Sequence, residues 1–128
     1  MALPLKKIQI AAVDDHRDYL AAITRALEAK DILVFSFSSV AEFVRSPKIH
    51  LIDCLLLDLE MPEIDGVRCQ SALLDTNFAF PVIFCTGSAD EDMKMRAQLQ
   101  GAYCIHPKPI QLDLLVEQIR AACLLTQS

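Results

Sequence analysis

The sequence predicts an α/β protein in which helices cover a parallel sheet of five strands. Five short runs rich in β-forming residues are separated by stretches long enough for a helix, and strands that alternate with helices usually form a parallel sheet. The runs at 54–57 and 82–85 are apolar at every position, as expected of strands covered on both faces. These two strands are therefore predicted to be central.

Each element is predicted from a local signal. Strands are predicted at residues 8–13, 32–37, 54–57, 82–85 and, more weakly, 103–106. Helices are predicted at residues 19–29, 39–45, 67–74, 89–100 and 111–125. Apolar residues recur with helical spacing in the first and last of these helices. A capping box from Ser88 to Glu91 precedes the helix at 89–100, and Gly101 is placed to end it.

Composition limits the class of protein. The 128 residues have the size of one domain, and no repeat or linker marks a second one. We therefore expect a single domain over residues 1–128, with an ordered core at about 6–125. Hydrophobic residues make up 53% of the chain, which excludes a disordered protein. Twelve basic residues against 17 acidic ones give a net charge of −5, which argues against direct binding of nucleic acid.

The cellular compartment is predicted from apolar runs and cysteines. The longest uninterrupted apolar run has five residues, whereas a membrane-spanning helix needs about 20. We expect no contact with a membrane. The five cysteines form an odd set without Cys-x-x-Cys spacing, which favours reduced, buried thiols. The sequence therefore predicts a cytoplasmic protein.

Polar residues that can carry chemistry share one location, the carboxyl end of a predicted strand. Asp14 and Asp15 follow the first strand, and Asp58 follows the third. Thr86 follows the fourth strand, and Lys108 lies just beyond the fifth. Because ligands of open parallel sheets bind outside the carboxyl ends of the strands, these five residues are predicted to form one site.

Three carboxylates in one site need a cation, because otherwise one of them would take a proton. An incomplete carboxylate set that leaves room for water and phosphate oxygens favours Mg²⁺ over Ca²⁺. The ammonium of Lys108 and the hydroxyl of Thr86 add groups that stabilise a phosphoryl group during transfer. One of the carboxylates can then act as the nucleophile and form an aspartyl phosphate.

Each of these residues also has an ordinary structural explanation. An Asp pair after a strand is more often a turn or a helix cap than a metal ligand. Thr86 before Gly87 is compatible with simple turn chemistry, and Lys108 alone would be a solvated surface lysine. The joint pattern favours the site. His16, His50 and His106 lack the spacing of a transition-metal site and are given no role.

Four motifs occur in the order and spacing of one known family. They are VDDH at 13–16, LLLDLEMPEIDG at 55–66, PVIFCTGSAD at 81–90 and GAYCIHPKP at 101–109. Together they make the chain resemble the response-regulator receiver domain over nearly its whole length. The stretches SFSSVAEFV and PVIFCTG are most similar to FixJ-type regulators. The resemblance implies a doubly wound, flavodoxin-like (βα)5 fold whose parallel strands have the order 2-1-3-4-5.

The resemblance also implies roles for the acidic residues. Asp58 would accept the phosphoryl group. Asp15 and Asp58 would be direct carboxylate ligands of Mg²⁺, and Asp14 would act largely through a bound water. The backbone carbonyl of Glu60 would be a further ligand of the metal.

Further roles follow from the same resemblance. Thr86, the backbone N–H of Gly87 and Lys108 would contact the phosphoryl oxygens. The peptide bond between Lys108 and Pro109 would be cis, an isomer that is accessible mainly before proline.

One position departs from the family pattern. The family usually has Tyr or Phe three residues before the lysine, where this chain has Ile105. Two hypotheses remain for the switch between states. In the favoured one, the signal passes through Thr86 with Ile105 as a smaller packing element. In the other, Tyr103 takes the place of the aromatic residue.

The leading hypothesis for function is a two-component receiver that accepts a phosphoryl group from a histidine kinase or phosphotransfer protein. It would catalyse its own phosphorylation and slow dephosphorylation without being a conventional enzyme. The alternative is a pseudo-receiver that acts as an interaction module without phosphorylation. A phosphohydrolase is disfavoured, because it typically needs a second Asp two residues after the nucleophile, where this chain has Glu60.

The expected partners follow from the same comparison. A second copy of the chain, forming a homodimer, or an output domain would bind one face of the protein. That face is formed by the fourth helix, the fifth strand and the fifth helix, here 89–100, 103–106 and 111–125. No output domain is expected within this chain. Apolar residues off the main helical stripes support such a face: Met95, Leu99, Leu114 and Leu124.

Overall fold

Five parallel strands form a single sheet with the order β2-β1-β3-β4-β5. The structure is a computed structural model that describes residues 7–58, 80–87, 91–99 and 101–126, without the side chains of 125 and 126. The predicted fold class and strand order are confirmed. The strands are β1 Ile8–Val13, β2 Ile32–Phe37, β3 Cys54–Asp58, β4 Val82–Thr86 and β5 Cys104–Pro107.

The strand ends differ from the prediction in a way that bears on the site. Strands β3 and β4 each extend one residue beyond the predicted end, so Asp58 and Thr86 are the last residues of strands. Their backbones are therefore held in the sheet ladder. Strand β5 begins one residue later than predicted and leaves Tyr103 before the strand.

Within the described residues, the helices lie close to the predicted positions. They are α1 Arg17–Glu28, α2 Val40–Arg45, α3 Glu91–Leu99 and α4 Leu112–Thr126, with a 3-10 helix at Pro47–His50. Helix α1 begins two residues before its predicted start. The helix predicted at 67–74 lies outside the described residues, as does Ser88 of the predicted capping box.

Two helix ends show why the helices begin and end where they do. The Ser39 hydroxyl accepts a hydrogen bond from the Glu42 N–H at 3.1 Å and caps α2. After α3, Gly101 has φ of 97°. The Gly101 N–H donates to the carbonyl of Gln98, and the Ala102 N–H donates to that of Ala97. This pattern is the Schellman motif, so the predicted stop at Gly101 is confirmed.

The sheet separates two apolar cores, because successive residues of a strand point to opposite faces. On one face, α2 and α3 contribute buried residues such as Phe43 and Ala97. On the other face, α1 and α4 contribute buried residues such as Leu27 and Ile119. Strands β3 and β4 are buried throughout, which agrees with their predicted central position. None of the described helices is long and apolar enough to cross a membrane.

The register of the strands brings the predicted site together at one edge. Val13 pairs with Leu57 across β1 and β3, so Asp14 comes level with Asp58. Asp58 in turn pairs with Cys85. Thr86 pairs with Pro107, directly before Lys108.

Candidate functional site

The predicted carboxylates converge at the carboxyl ends of β1 and β3. Asp14 and Asp58 are each only 4% exposed, whereas the side chain of Asp15 is 34% exposed. Carboxylate oxygens of all three, together with a ring nitrogen of His16, lie within 4.8 Å of one another. The site therefore has a buried floor and a rim open to solvent.

Lys108 lies between the two buried carboxylates. Its ammonium donates a hydrogen bond of 2.6 Å to Asp14 Oδ2 and lies 3.4 Å from Asp58 Oδ2. Burial lowers the pKa of Lys108, but the hydrogen bond to Asp14 and the charges of Asp58 and Asp14 outweigh it, so the net pKa is raised. The Lys108 side chain is thus positively charged at neutral pH and partly compensates the negative charge of the two carboxylates.

Thr86 and Lys108 are also joined through the backbone. The backbone N–H of Lys108 donates to the Thr86 carbonyl at 2.8 Å. This hydrogen bond holds the backbone of Lys108 beside the end of β4. Thr86 is buried, with 3% exposure. The peptide bond between Lys108 and Pro109 is cis, as the family resemblance implies. Gly87, which follows Thr86, is exposed at the rim.

The donor set fits a hard divalent cation. It consists mainly of carboxylate oxygens, which Mg²⁺ prefers, and the partial exposure of Asp15 leaves room for the waters that Mg²⁺ usually keeps. Asp14, Asp15 and Asp58 are the described residues that could hold the ion. Glu60, the fourth predicted ligand, lies outside the described residues.

Two residues of the site have no role in the sequence prediction. The Nδ1 atom of His16 lies 3.0 Å from Asp14 Oδ1 and 3.3 Å from Asp15 Oδ1, and the His16 N–H donates to Asp14 at 2.9 Å. His16 was given no role from the sequence, and the structure places it beside two of the predicted carboxylates. Its place directly after Asp14 and Asp15 was the available signal.

Tyr19 is the second residue that the prediction missed. Its ring lies beneath Lys108, with the ammonium 4.6 Å from the ring centroid. Tyr19 lies in the first turn of α1, four residues before the buried Ile23 and on the same helical face. That spacing indicated a core residue, and only the fold shows that the core ends at the site.

The residues of the two switch hypotheses, Ile105 and Tyr103, lie on opposite faces of the sheet. Ile105, in β5, packs against the core on the α2 and α3 face, whereas Tyr103 packs against the core on the α1 and α4 face. Tyr103 directly precedes β5, so it lies outside the regular alternation of that strand and does not share a face with Ile105.

The outer surface beside the site carries exposed apolar side chains. Met95 and Leu99 on α3 are 58% and 80% exposed, and Leu124 on α4 is 68% exposed. Leu114 is less exposed, at 37%. A groove between α3 and β5 is lined by Met95, Ile105 and Pro107 among others. The predicted exposure of these residues is confirmed.

The chain is similar in sequence to known proteins of one family. The family model described as "Response regulator receiver domain" matches residues 10–120. Response regulator protein TodT of Pseudomonas putida is 32% identical over 113 residues, which cover 88% of this chain and 50% of TodT. The C4-dicarboxylate transport transcriptional regulatory protein DctD of Rhizobium meliloti is 32% identical over 110 residues, 86% of this chain and 24% of DctD. The chain thus spans half the length of TodT and less of DctD.

Solved structures give the same picture. FixJ-N superposes with a TM-score of 0.82 at 25% identity and covers 93% of this chain and 95% of its own. A response regulator receiver domain protein from Clostridium thermocellum superposes with a TM-score of 0.87 at 26% identity, covering 94% and 97% of the two chains.

Proposed function

The chain belongs to the response regulator receiver domain family of two-component signalling, and from this premise we propose that Asp58 is its phosphoacceptor. The observation that carries the proposal is the position of Asp58 at the end of β3, level with Asp14 and 3.4 Å from the Lys108 ammonium. A carboxylate held beside a fixed cation is suited to attack a phosphoryl group.

The donor is a phosphohistidine of a histidine kinase or a phosphotransfer protein. An oxygen of the Asp58 carboxylate forms a bond to phosphorus, and the bond between phosphorus and the donor's imidazole nitrogen breaks. The electron pair of that bond stays on the imidazole. Hydrolysis by water later returns phosphate and the free carboxylate, so the domain catalyses its own slow dephosphorylation.

Mg²⁺ is the cofactor that we propose for this step, with Asp15 and Asp58 as direct ligands and Asp14 acting largely through a water. The ion would neutralise charge on the phosphoryl oxygens. The carbonyl of Glu60 is proposed as a further ligand. The difference in exposure between Asp14 and Asp15 supports these separate roles. Asp15 lies at the exposed rim, whereas Asp14 is buried and forms an ion pair with Lys108.

Lys108, the Thr86 hydroxyl and the Gly87 N–H are proposed to bind the phosphoryl oxygens. The hydrogen bond between the Lys108 N–H and the Thr86 carbonyl supports a shared role, because it keeps both residues at one edge of Asp58. A phosphoryl group would add a charge of about −1.5 to −2 at this point. Movement of Thr86 toward that charge, with repacking of Ile105, is the proposed switch.

The switched surface is proposed to be the face formed by α3, β5 and α4. Its exposed apolar side chains, Met95, Leu99 and Leu124, would be covered by a second copy of the chain or by an output domain. The relative TodT, a response regulator twice as long as its match to this chain, is compatible with an output domain as partner. A cytoplasmic location is proposed with the same family assignment.

The phosphoacceptor is tested by incubating the protein with acetyl phosphate and Mg²⁺ and recording the intact mass. We expect a single phosphoryl adduct on the wild type, its loss when EDTA replaces Mg²⁺, and its loss in Asp58→Asn. Asp92→Asn, which changes an exposed acid of α3, is the matched control and should be phosphorylated normally.

The opposite results would reject the proposal. An undiminished adduct in Asp58→Asn would place the phosphoryl group elsewhere. If the wild type takes neither acetyl phosphate nor beryllofluoride, the domain acts as a phosphorylation-independent interaction module. Where the beryllofluoride complex does form, size-exclusion chromatography of that complex tests whether dimerisation accompanies the adduct.

A further inference from the structure

Tyr19 contacts the cation of the site without being a ligand or a hydrogen-bond partner of it. The Lys108 ammonium lies 4.6 Å from the centroid of the Tyr19 ring, within the distance at which a cation is attracted to an aromatic face. Tyr19 extends from the first turn of α1 and packs against the core between α1, α4 and the sheet. The ring is therefore held by the core while its face is presented to Lys108.

The hydroxyl of Tyr19 is buried. Burial raises the pKa of Tyr19 well above its ordinary value, and the neighbouring Cys85, Asp14 and Asp58 act in the same direction. The contact with Lys108 is made by the face of the ring and not by the hydroxyl.

We propose that Tyr19 is a positioning residue, whose ring holds the Lys108 ammonium in place to meet a phosphoryl group on Asp58. The inference rests on the function proposed above. It assigns a role in that reaction to a residue outside the acidic and phosphoryl-binding set.

The need for such a residue follows from the other contacts of Lys108. Its two carboxylate partners, Asp14 and Asp58, belong to the proposed metal and phosphoryl site. Once those carboxylates also bind a metal ion or carry a phosphoryl group, fewer of their oxygens are available to pair with the Lys108 ammonium. The Tyr19 ring is no ligand of either, so its contact with the ammonium does not compete. It can hold the ammonium both before and after phosphorylation.

The flexible stem of lysine makes this contact consequential. The ammonium of lysine sits at the end of a flexible four-carbon chain, and ordering that chain costs conformational entropy. A fixed neighbour that contacts the ammonium favours the ordered conformation. In a small cavity below the site, Tyr19 lies with Asp14, Asp58 and Cys85 among the lining residues. Without the ring, the ammonium would have more room to leave the position beside Asp58.

The test compares three variants of the whole chain. Tyr19→Leu removes the aromatic face and keeps an apolar side chain, Tyr19→Phe keeps the face and removes only the hydroxyl, and Tyr103→Leu changes the other tyrosine as a matched control. Two quantities are measured: the rate of phosphorylation by acetyl phosphate with Mg²⁺, and the NMR shifts of the Lys108 side-chain ε protons.

If the proposal is right, the wild type shows ring-proton NOEs from Tyr19 to Lys108 and an upfield shift of the ε protons caused by the ring. Tyr19→Phe keeps the shift and a rate within about twofold of wild type. Tyr19→Leu loses the shift and is phosphorylated about three- to tenfold more slowly. Tyr103→Leu changes neither quantity.

Several outcomes would overturn it. These are absent NOEs in the wild type, an unchanged Lys108 shift and rate in Tyr19→Leu, or equal impairment of Tyr19→Phe and Tyr19→Leu, which would assign the role to the hydroxyl. The NMR measurements do not require phosphorylation. The NOE measurement uses the wild type alone, so it remains a test even if a variant fails to fold. An intact ring contact with no phosphorylation of any protein would instead reject the proposed function.

Discussion

Ile105 and Tyr103 show at the residue scale how one strand end decides a role. The family's usual aromatic residue is replaced by Ile105, which pairs with Phe84 in the sheet and packs toward α2 and α3. Tyr103 is bound by its N–H to the Val82 carbonyl at 2.9 Å and packs on the opposite face. A tyrosine on the α1 and α4 side cannot rotate into a gap beside α3 without crossing the sheet.

We therefore expect Tyr103→Ala to leave the response to activation intact. Addition of beryllofluoride and Mg²⁺ should shift the amide signals of α3 in ¹H–¹⁵N NMR spectra to the same extent as in the wild type. In Ile105→Ala the shifts in α3 should be reduced, because the packing element that links β5 to α3 is smaller. Loss of the α3 response in Tyr103→Ala, with Ile105→Ala unchanged, would make Tyr103 the switch residue instead.

Helix α4 shows at the element scale how helical spacing separates core from surface. Leu114 and Leu115 are neighbours in sequence, but successive residues on a helix point about 100° apart. Leu115 is fully buried against the sheet, whereas Leu114 is 37% exposed on the outer face. The same residue type thus serves the core at one position and the proposed partner surface at the next.

The pair gives a matched test of stability. We expect Leu115→Ala to lower the free energy of unfolding by about 2–5 kcal/mol, since it removes buried methyl groups and leaves a cavity. Leu114→Ala should cost less than about 1 kcal/mol, because that side chain retains solvent contact. Urea denaturation followed by circular dichroism measures both values. Equal losses in the two variants would contradict the assigned orientation of α4.

Buried and half-buried thiols on the α1 and α4 face of the sheet make the stability of the whole molecule depend on pH. The four cysteines in the described part of the chain are thiols and lie on three strands and a helix: Cys54, Cys85, Cys104 and Cys123. Burial raises the pKa of Cys85 to about 12 and those of Cys104 and Cys123 to about 11. In the unfolded chain a thiol has a pKa of about 8.5.

The sign of the effect follows from proton release. Above about pH 8.5 the unfolded chain loses thiol protons that the folded chain retains, so the free energy of unfolding falls as the pH rises toward the folded pKa values. A fully buried thiol contributes at most about 1.4 kcal/mol per pH unit. Below about pH 7 these groups are neutral in both states, and we expect no dependence from them.

This dependence is measured by urea denaturation under reducing conditions between pH 7.5 and about 10. Cys85→Ala should lose less stability over that interval than the wild type does, although its stability at pH 7.5 is lower because of the lost packing. Comparing the two slopes removes the contribution of the other titrating groups. Identical slopes would show that Cys85 is not protected from ionisation.

The order of the elements was predictable from the sequence, because the signals are local. Uninterrupted apolar runs indicated β3 and β4 as central strands, and both are buried throughout. Helical spacing located α1 and α4 to within two residues at each end. The clustering of Asp14, Asp15, Asp58, Thr86 and Lys108 was predictable from their place at the ends of strands, since parallel strands bring their carboxyl ends to one edge. Asp58 is the proposed acceptor among them.

The tertiary structure decided which side chains meet across that edge. Three contacts depend on the sheet register and on the packing of α1 against the sheet. They are the hydrogen bond from Lys108 to Asp14, the ring of Tyr19 beneath the ammonium, and the imidazole of His16 beside two carboxylates. The face of Tyr103 was likewise set by the residue at which β5 begins. Spacing along a chain specifies the face of an element, but distances between elements arise only when packing fixes their separation and rotation.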